Sequence, residues 1–218
     1  MNIFDYTIVV DFDGTITRYD SNDMLFFDLG NEETIKHEER FRAGEISSRE
    51  TFKLHFNSLP LSFEKYYTII DEFIHIDPGF IEFYHNITDM ELPFFIVSGG
   101  FRQCITRVLK QLNIPETNIY ANDLVLDGYL KPVFVHEDVV CTEDIGPCGN
   151  CKRKCIEEIK KITGKKILFI GDGLTDRCAV MISDFVFAKD GLVDFCREFG
   201  IKFHKFKDFA DITKQIFS

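Results

Sequence analysis

Thr7-Ile8-Val9-Val10-Asp11-Phe12-Asp13-Gly14-Thr15 is the stretch on which the reading of this chain depends. A short β-branched, apolar run followed at once by two acids and a glycine reads as a buried parallel strand that ends in a sharp turn. In extended backbone, residues two apart share a side, so the spacing brings the carboxylates of Asp11 and Asp13 together. Two carboxylates that close require a cation or a shared proton between them. A hard cation with oxygen ligands, Mg²⁺, fits that demand, although a plain Asp-Gly turn closing a strand would use the same residues.

Working outward, similar apolar runs occur at 94–97, 167–170 and 185–187, each followed by Gly, Ser, Asp or a short polar turn and then by helical periodicity. Phe101, Ile105, Val108, Leu109 and Leu112 keep one apolar face, as do Cys155, Ile156, Ile159 and Ile162 within 152–163. Strands alternating with helices imply an α/β fold with an open parallel sheet, whose ligands bind outside the carboxyl ends of the strands. From Tyr19 to Met90 the strand signal disappears, and helix-like segments are broken at Gly30-Asn31, Gly44, Leu59-Pro60 and Pro78-Gly79. Ser47 to Glu50 has the form of a capping box. The expected organisation is a core domain of residues 1–17 and 91–218 with an all-helical domain of residues 18–90 inserted after the first strand. The Asp127-Gly128 pair predicts a hairpin over 124–130, with 133–135 as a further strand.

Composition bounds the function. The chain has 218 residues with 24 Phe and 7 Tyr, enough apolar area for a large core, and is neither disordered, collagenous nor coiled-coil in character. Its formal charge of -11 gives no electrostatic basis for nucleic-acid binding, so an anionic substrate needs a local cation. No apolar stretch of membrane-spanning length and no signal-peptide pattern is present, and a cytoplasmic protein without membrane partners is expected. Of the seven cysteines, Cys104, Cys178 and Cys196 are scattered as reduced thiols would be. Cys141, Cys148, Cys151 and Cys155 are dense enough for a zinc site, for a Cys148–Cys151 disulfide, or for plain thiols, and the spacing does not choose among them. The Phe-rich pattern of the insert, Phe26, Phe41, Phe52 and Phe56 among them, reads as its core.

Three further motifs carry chemistry. Gly171-Asp172-Gly173-Leu174-Thr175-Asp176 follows the 167–170 run, so two more acids lie at a carboxyl end, with Asp172 the direct metal ligand and Asp176 orienting or joining through water. Ser98-Gly99-Gly100 follows 94–97 and is expected to open a helix, whose amides and hydroxyl would cradle a phosphate; a simple N-cap serine is the alternative. Lys152 opens a helix, where its charge opposes the dipole unless it neutralises an anion.

Taken in order, Asp11-x-Asp13-Gly14-Thr15, the strand ending in Ser98-Gly99, the helix-leading Lys152 and Gly171-Asp172-Gly173-x-Thr175-Asp176 resemble the four motifs of the haloacid dehalogenase superfamily. The helical insert resembles the C1-type cap of the subgroup containing phosphoserine phosphatases. Asp11-Phe-Asp-Gly-Thr-Ile-Thr17, Asp20, Ile96-Val-Ser-Gly-Gly100, the cysteines ending in Cys151-Lys152, Phe187-Ala-Lys-Asp190 and Cys196-Arg-Glu198 are similar to the 2-hydroxy-3-keto-5-methylthiopentenyl-1-phosphate phosphatases. The resemblance implies a Rossmann-like core and a Mg²⁺-dependent phosphomonoesterase acting on a small phosphate ester through an aspartyl phosphate. It makes Asp11 the nucleophile and Asp13 the general acid and base. Mg²⁺ would lie among the Asp11 carboxylate, the Asp13 carbonyl and Asp172, supported by Asp176, and Ser98, Gly99 and Lys152 would hold phosphate oxygens.

Asp20 stands where phosphoserine phosphatases place a glutamate, which puts phosphoserine in doubt, and a helix N-cap is the alternative role. No counterpart of their cap arginine is apparent. Phosphoserine, phosphoethanolamine or phosphocholine phosphatase, a phosphoryl transferase acting on a sugar, and a phosphoacceptor module of response-regulator type remain the other readings.

Overall fold

The computed structural model describes residues 1–116, 118–139 and 147–217. Its elements in order are β1 (Tyr6–Val10), α1 (Ser21–Asp23), α2 (Glu32–Arg42), α3 (Ser48–Ser58), α4 (Phe63–Phe73), α5 (Phe80–Asp89), β2 (Phe94–Phe101) and α6 (Arg102–Gln111). They continue with β3 (Ile119–Asp127), β4 (Tyr129–Val133), α7 (Lys152–Thr163), β5 (Lys166–Gly171), α8 (Arg177–Val180), β6 (Phe185–Ala188), α9 (Asp190–Glu198), β7 (His204–Lys205) and α10 (Phe209–Phe217).

The strands form one sheet in the order β4-β3-β2-β1-β5-β6-β7. Every neighbouring pair is parallel except the β3–β4 hairpin. This is the α/β architecture expected from the alternation of runs and helices. β1 lies in the middle, between β2 and β5, so the loops after these three strands share one edge of the sheet.

Alternation along each strand explains why the runs are apolar throughout. Ile8, Val10, Ile96, Leu168, Ile170 and Phe187 face one side of the sheet, where Ile105 of α6, Phe80 and Phe83 of α5 and Phe209 of α10 cover them. Val9, Val97, Ile167, Phe169 and Val186 face the other, against Ile156 and Ile159 of α7 and Leu192 of α9. A sheet covered on both faces leaves little room for polar positions within its central strands, and Thr7 of β1 is buried with its hydroxyl bonded to Thr163 Oγ1 at 2.9 Å.

Between β1 and β2 lie only helices and turns, apart from one antiparallel bridge, Thr17 to Ile76, that pins the ends of the insert together. Helix starts follow the sequence: Asn31 accepts the Glu33 and Thr34 amides, and Ser47 Oγ accepts the Glu50 amide at 3.2 Å. The apolar layer under α5 and α6 runs on into α3 and α4 through Phe56, Tyr66 and Ile70. Phe52 and Phe56 of α3 meet the Phe101 ring edge-on at 4.9 and 5.3 Å, and the Leu130 amide of β4 bonds the Leu61 carbonyl at 2.8 Å. No helix among the described residues is long and apolar enough to cross a membrane.

Three sequence expectations need correction. Ser98-Gly99-Gly100 does not open a helix: the backbone stays extended through Phe101, across an irregularity in the β2–β3 pairing, and α6 starts at Arg102. The segment at 133–135 is no separate strand, because Val133 ends β4, which pairs back on β3 around Gly128 at φ 74°. β7 was not expected at all; both its residues are exposed, and two residues give no alternation to read.

Candidate active site

The loops after β1, β2 and β5 converge on a cavity of about 240 Å³ lined on the sheet side by Asp11, Asp13, Gly99, Gly100, Asp172 and Thr175. The insert contributes Asp20, Asn22, Asp23, Glu38, Arg42, Phe41 and Phe52 to the opposite wall.

Asp11 closes β1. Its amide bonds the Ile170 carbonyl at 2.9 Å, its Oδ1 accepts the Phe12 amide at 2.8 Å, and it is 4% exposed. From Phe12 to Ile16 the chain forms one wide turn in which Asp13 is extended and Gly14 has φ 73°. Gly14 is required twice over. The left-handed backbone favours glycine, and a Cβ there would collide with Asp172 Oδ2.

That turn separates the two acids which the sequence brings together. The carboxylate of Asp13 swings to the insert side, where Oδ1 accepts from the amide and hydroxyl of Ser21 and Oδ2 accepts from Ser98 Oγ at 3.2 Å. Among the described residues, the cluster of ligating atoms within 4.8 Å of one another is Asp11, Asp172 and Asp176. Thus the Asp13 carboxylate does not join Asp11 in that cluster, because the segment turns where extension was expected.

Lys152 supplies the positive charge beneath this cluster. Its Nζ lies 2.5 Å from Asp11 Oδ1 and 2.7 Å from Asp176 Oδ1, with only 1% of the side chain exposed. Burial works against that charge, yet the two adjoining carboxylates outweigh it and raise the lysine above its ordinary value. The placement at the start of α7 accounts for a cation at the disfavoured end of a helix: it neutralises acids.

Asp176 is fully buried, and both its oxygens are engaged. Oδ1 meets Lys152, while Oδ2 accepts the amides of Asp172 and Gly173 at 3.0 Å each. It therefore fixes both the lysine and the loop carrying Asp172. Asp172 Oδ1 accepts from Thr15 Oγ1 at 2.7 Å, and burial together with the Asp176 charge pushes this acid up to about 7. Asp11 is driven well upward by burial and by Asp176, against the pull of Lys152. One ammonium does not balance three carboxylates, two of them buried and the third half-buried. A site built only of hard oxygen donors and short of positive charge fits Mg²⁺.

Asp13 is raised chiefly by burial, partly offset by its bonds from Ser21 and Ser98. Ser98 is fully buried beneath the cavity wall, donating to Asp13 and accepting the Gly100 amide at 2.9 Å. No helix N-terminus therefore stands at this position, because α6 starts at Arg102. What remains here is an extended glycine pair whose backbone lines the cavity. Asp20 is the N-cap of α1, accepting the Asn22 and Asp23 amides at 2.7 and 3.2 Å, and it also lines the cavity. Burial, then the charges of Asp13 and Asp23, push it well upward.

Several site residues escaped the sequence. Arg42, for which no cap arginine was apparent, reaches the cavity and pairs with Asp23 and Glu38. Glu38 and Arg42 form an i,i+4 pair on α2 that reads as an ordinary solvated face. Asn150 is buried, and its amide donates to the Ser98 and Tyr120 carbonyls at 2.9 Å each, tying the end of β2 to the residue pair before Lys152. Of the dense cysteines, Cys141 lies outside the described residues. Cys155 is buried, with Sγ 3.1 Å from Asn150 Oδ1, and burial pushes its thiol up to about 12.

With this geometry in place, comparison with known proteins is informative. A family model for haloacid dehalogenase-like hydrolases matches residues 8–180. The chain is 30% identical to a polyol phosphate phosphatase of Saccharomyces cerevisiae, over 94% of this chain and 90% of that one. It is 29% identical to a 2-hydroxy-3-keto-5-methylthiopentenyl-1-phosphate phosphatase of Bacillus velezensis, over 96% and 88% of the two chains. Among solved structures, a substrate-bound phosphoserine phosphatase superposes with TM-score 0.72 at 19% identity, over 97% of this chain and 98% of the other, a likeness of fold.

Proposed function

The chain belongs to the haloacid dehalogenase-like hydrolase family, as a phosphatase of small phosphorylated substrates, and from that premise we propose a Mg²⁺-dependent phosphomonoesterase that works through an aspartyl phosphate on Asp11. The observation that carries this reading is the buried Lys152 ammonium clasped by Asp11 and Asp176, with Asp172 completing the carboxylate cluster at the carboxyl ends of β1 and β5.

In the first step a carboxylate oxygen of Asp11 attacks phosphorus and the bond from phosphorus to the ester oxygen breaks. Asp13, whose burial favours its protonated form, gives its proton to that leaving oxygen. In the second step a water oxygen attacks phosphorus, Asp13 takes the water proton, and the bond to Asp11 breaks with release of inorganic phosphate. Lys152, the backbone around Gly99 and Gly100, and Ser98 in support of Asp13 stabilise charge on the transferred group.

Mg²⁺ held by Asp11, Asp172 and the Asp13 carbonyl would neutralise phosphate charge, with Asp176 fixing Asp172 from behind. Within residues 18–90, inserted in a core of residues 1–17 and 91–218, the helices before α5 act as the cap that selects the leaving group and shields the site from water, while α5 packs on the sheet. The substrate is a small cytoplasmic metabolite. The named activities of the relatives, on polyol phosphates and on 2-hydroxy-3-keto-5-methylthiopentenyl-1-phosphate, support a compact phosphate monoester, with the latter compound a direct candidate.

Purified protein with Mg²⁺ is expected to release free phosphate from p-nitrophenyl phosphate, and EDTA to stop it. Activity indifferent to EDTA, or a phosphoryl group passed to an added sugar without release of phosphate, would overturn the proposal.

A further inference from the structure

The cavity is lopsided in charge. Among the described residues, six carboxylates line it, those of Asp11, Asp13, Asp20, Asp23, Glu38 and Asp172, against one lining cation, Arg42. That cation is already committed. Arg42 Nη2 lies 2.8 Å from Asp23 Oδ2 and Nε lies 3.0 Å from Glu38 Oε1, while the guanidinium sits 5.1 Å from the centroid of the Phe27 ring. Two edges and a face of the fork are taken before any substrate arrives.

The acids fall into two groups. Asp11, Asp13 and Asp172 belong to the end that handles the phosphoryl group, whereas Asp20, Asp23 and Glu38 belong to the insert, on the side where the leaving group must sit. There, Phe41 and Phe52 supply apolar wall and the three carboxylates supply acceptors. A hydroxyl on the leaving group can donate to such acceptors. A second anionic group would meet Asp23 and Glu38 with no uncommitted cation among the described lining residues, while Asp20, pushed well upward, offers hydrogen bonding rather than charge, and like charges meeting in a partly desolvated cleft are strongly unfavourable.

We propose that Asp23 and Glu38, by holding Arg42 between them, select phosphate monoesters whose leaving group carries hydroxyls and no second anionic charge, and exclude carboxylate-tailed esters. The rule is one of repulsion: the cation that could welcome a carboxylate is present, and two neighbouring acids occupy it. This inference rests on the phosphatase reading above and deepens it.

The test compares kcat/KM for glycerol 3-phosphate and 3-phosphoglycerate, which have the same carbon count and differ in a hydroxymethyl against a carboxylate. The wild-type enzyme should prefer the first by about 100-fold or more, the scale of a like-charge contact. The Asp23→Asn/Glu38→Gln double variant should cut that preference by about tenfold through a gain on 3-phosphoglycerate, which no folding defect can imitate. Asp23→Asn alone, at a side chain 43% exposed, should move the ratio in the same direction. Adding Arg42→Gln to the double variant should abolish the gain.

A wild-type ratio near one, a ratio unmoved in the double variant, or hydrolysis of p-nitrophenyl phosphate with neither ester accepted would overturn this inference and leave the phosphatase reading standing. Failure of the wild-type enzyme on all three esters would instead remove the phosphatase reading.

Discussion

Replacing Lys152 by methionine tests the electrostatic heart of the site. The side chain is 1% exposed, and its ammonium contacts Asp11 at 2.5 Å and Asp176 at 2.7 Å, acids that are themselves 5% and 0% exposed. Methionine keeps the apolar stem and removes only the charge, so the volume change is small and the effect is that of two buried carboxylates left facing each other. Removing one partner of a buried ion pair costs about 3–5 kcal/mol. For a chain of this size that loss lowers the midpoint of thermal unfolding by roughly 6–20 °C. The assay is unfolding followed by circular dichroism at pH 7 in EDTA. A Lys152→Met/Asp176→Asn double variant should recover part of the loss, because the repulsion is relieved with the second charge. Unfolding of Lys152→Met within about 2 °C of the wild type would refute the reasoning, since a loss of 1 kcal/mol already moves the midpoint that far.

Two other outcomes follow from the same geometry. Buried His55, whose Nε2 lies 3.2 Å from the Thr34 carbonyl and whose ring stacks on Phe26 at 4.4 Å, is lowered by burial to about 4. The unfolded chain then binds the extra proton first, so the contribution of His55 to stability should fall by about 3 kcal/mol as the pH drops from 6.5 toward 4, and His55→Leu should be more stable relative to the wild type at pH 4 than at pH 6.5 by about that amount in urea titrations. A Cβ at Gly100 would stand 2.5 Å from Asp13 Oδ2 and 3.2 Å from Ser98 Oγ, so Gly100→Ala should displace Asp13 and lower kcat/KM by about 100-fold, far beyond any change in unfolding temperature.

The strands were legible because a parallel sheet covered on both faces keeps the runs at 8–10, 94–97, 167–170 and 185–187 apolar throughout. The site acids were legible for a related reason: Asp11, Asp13, Asp172 and Asp176 stand directly after such runs, and Lys152 opens a helix where a cation is unwelcome. Local geometry was harder to read. The extended reading of Asp11 to Asp13 missed the turn at Gly14 that parts their carboxylates. Ser98-Gly99-Gly100 stays extended as the irregular stretch between the Val97 and Phe101 pairings with β3, which no local signal announces. Residues that act across the fold were invisible. Asp23, Glu38 and Arg42 have the spacing of a solvated helix surface, and only the packing of the insert over the sheet edge turns that surface toward Asp11. Asn150 gives no sequence signal, since its bonds reach back to the carbonyls of Ser98 and Tyr120, far away along the chain.

The most direct test of the account asks which atom receives the phosphoryl group. Enzyme turning over p-nitrophenyl phosphate with Mg²⁺ is quenched in acid, reduced with borohydride and digested, and the peptides are weighed by mass spectrometry. Reduction of an acyl phosphate leaves homoserine in place of aspartate, and the account predicts that change at position 11 alone, with neither label nor turnover in Asp11→Asn. Homoserine at another aspartate, or an Asp11→Asn enzyme that turns over like the wild type, would contradict it.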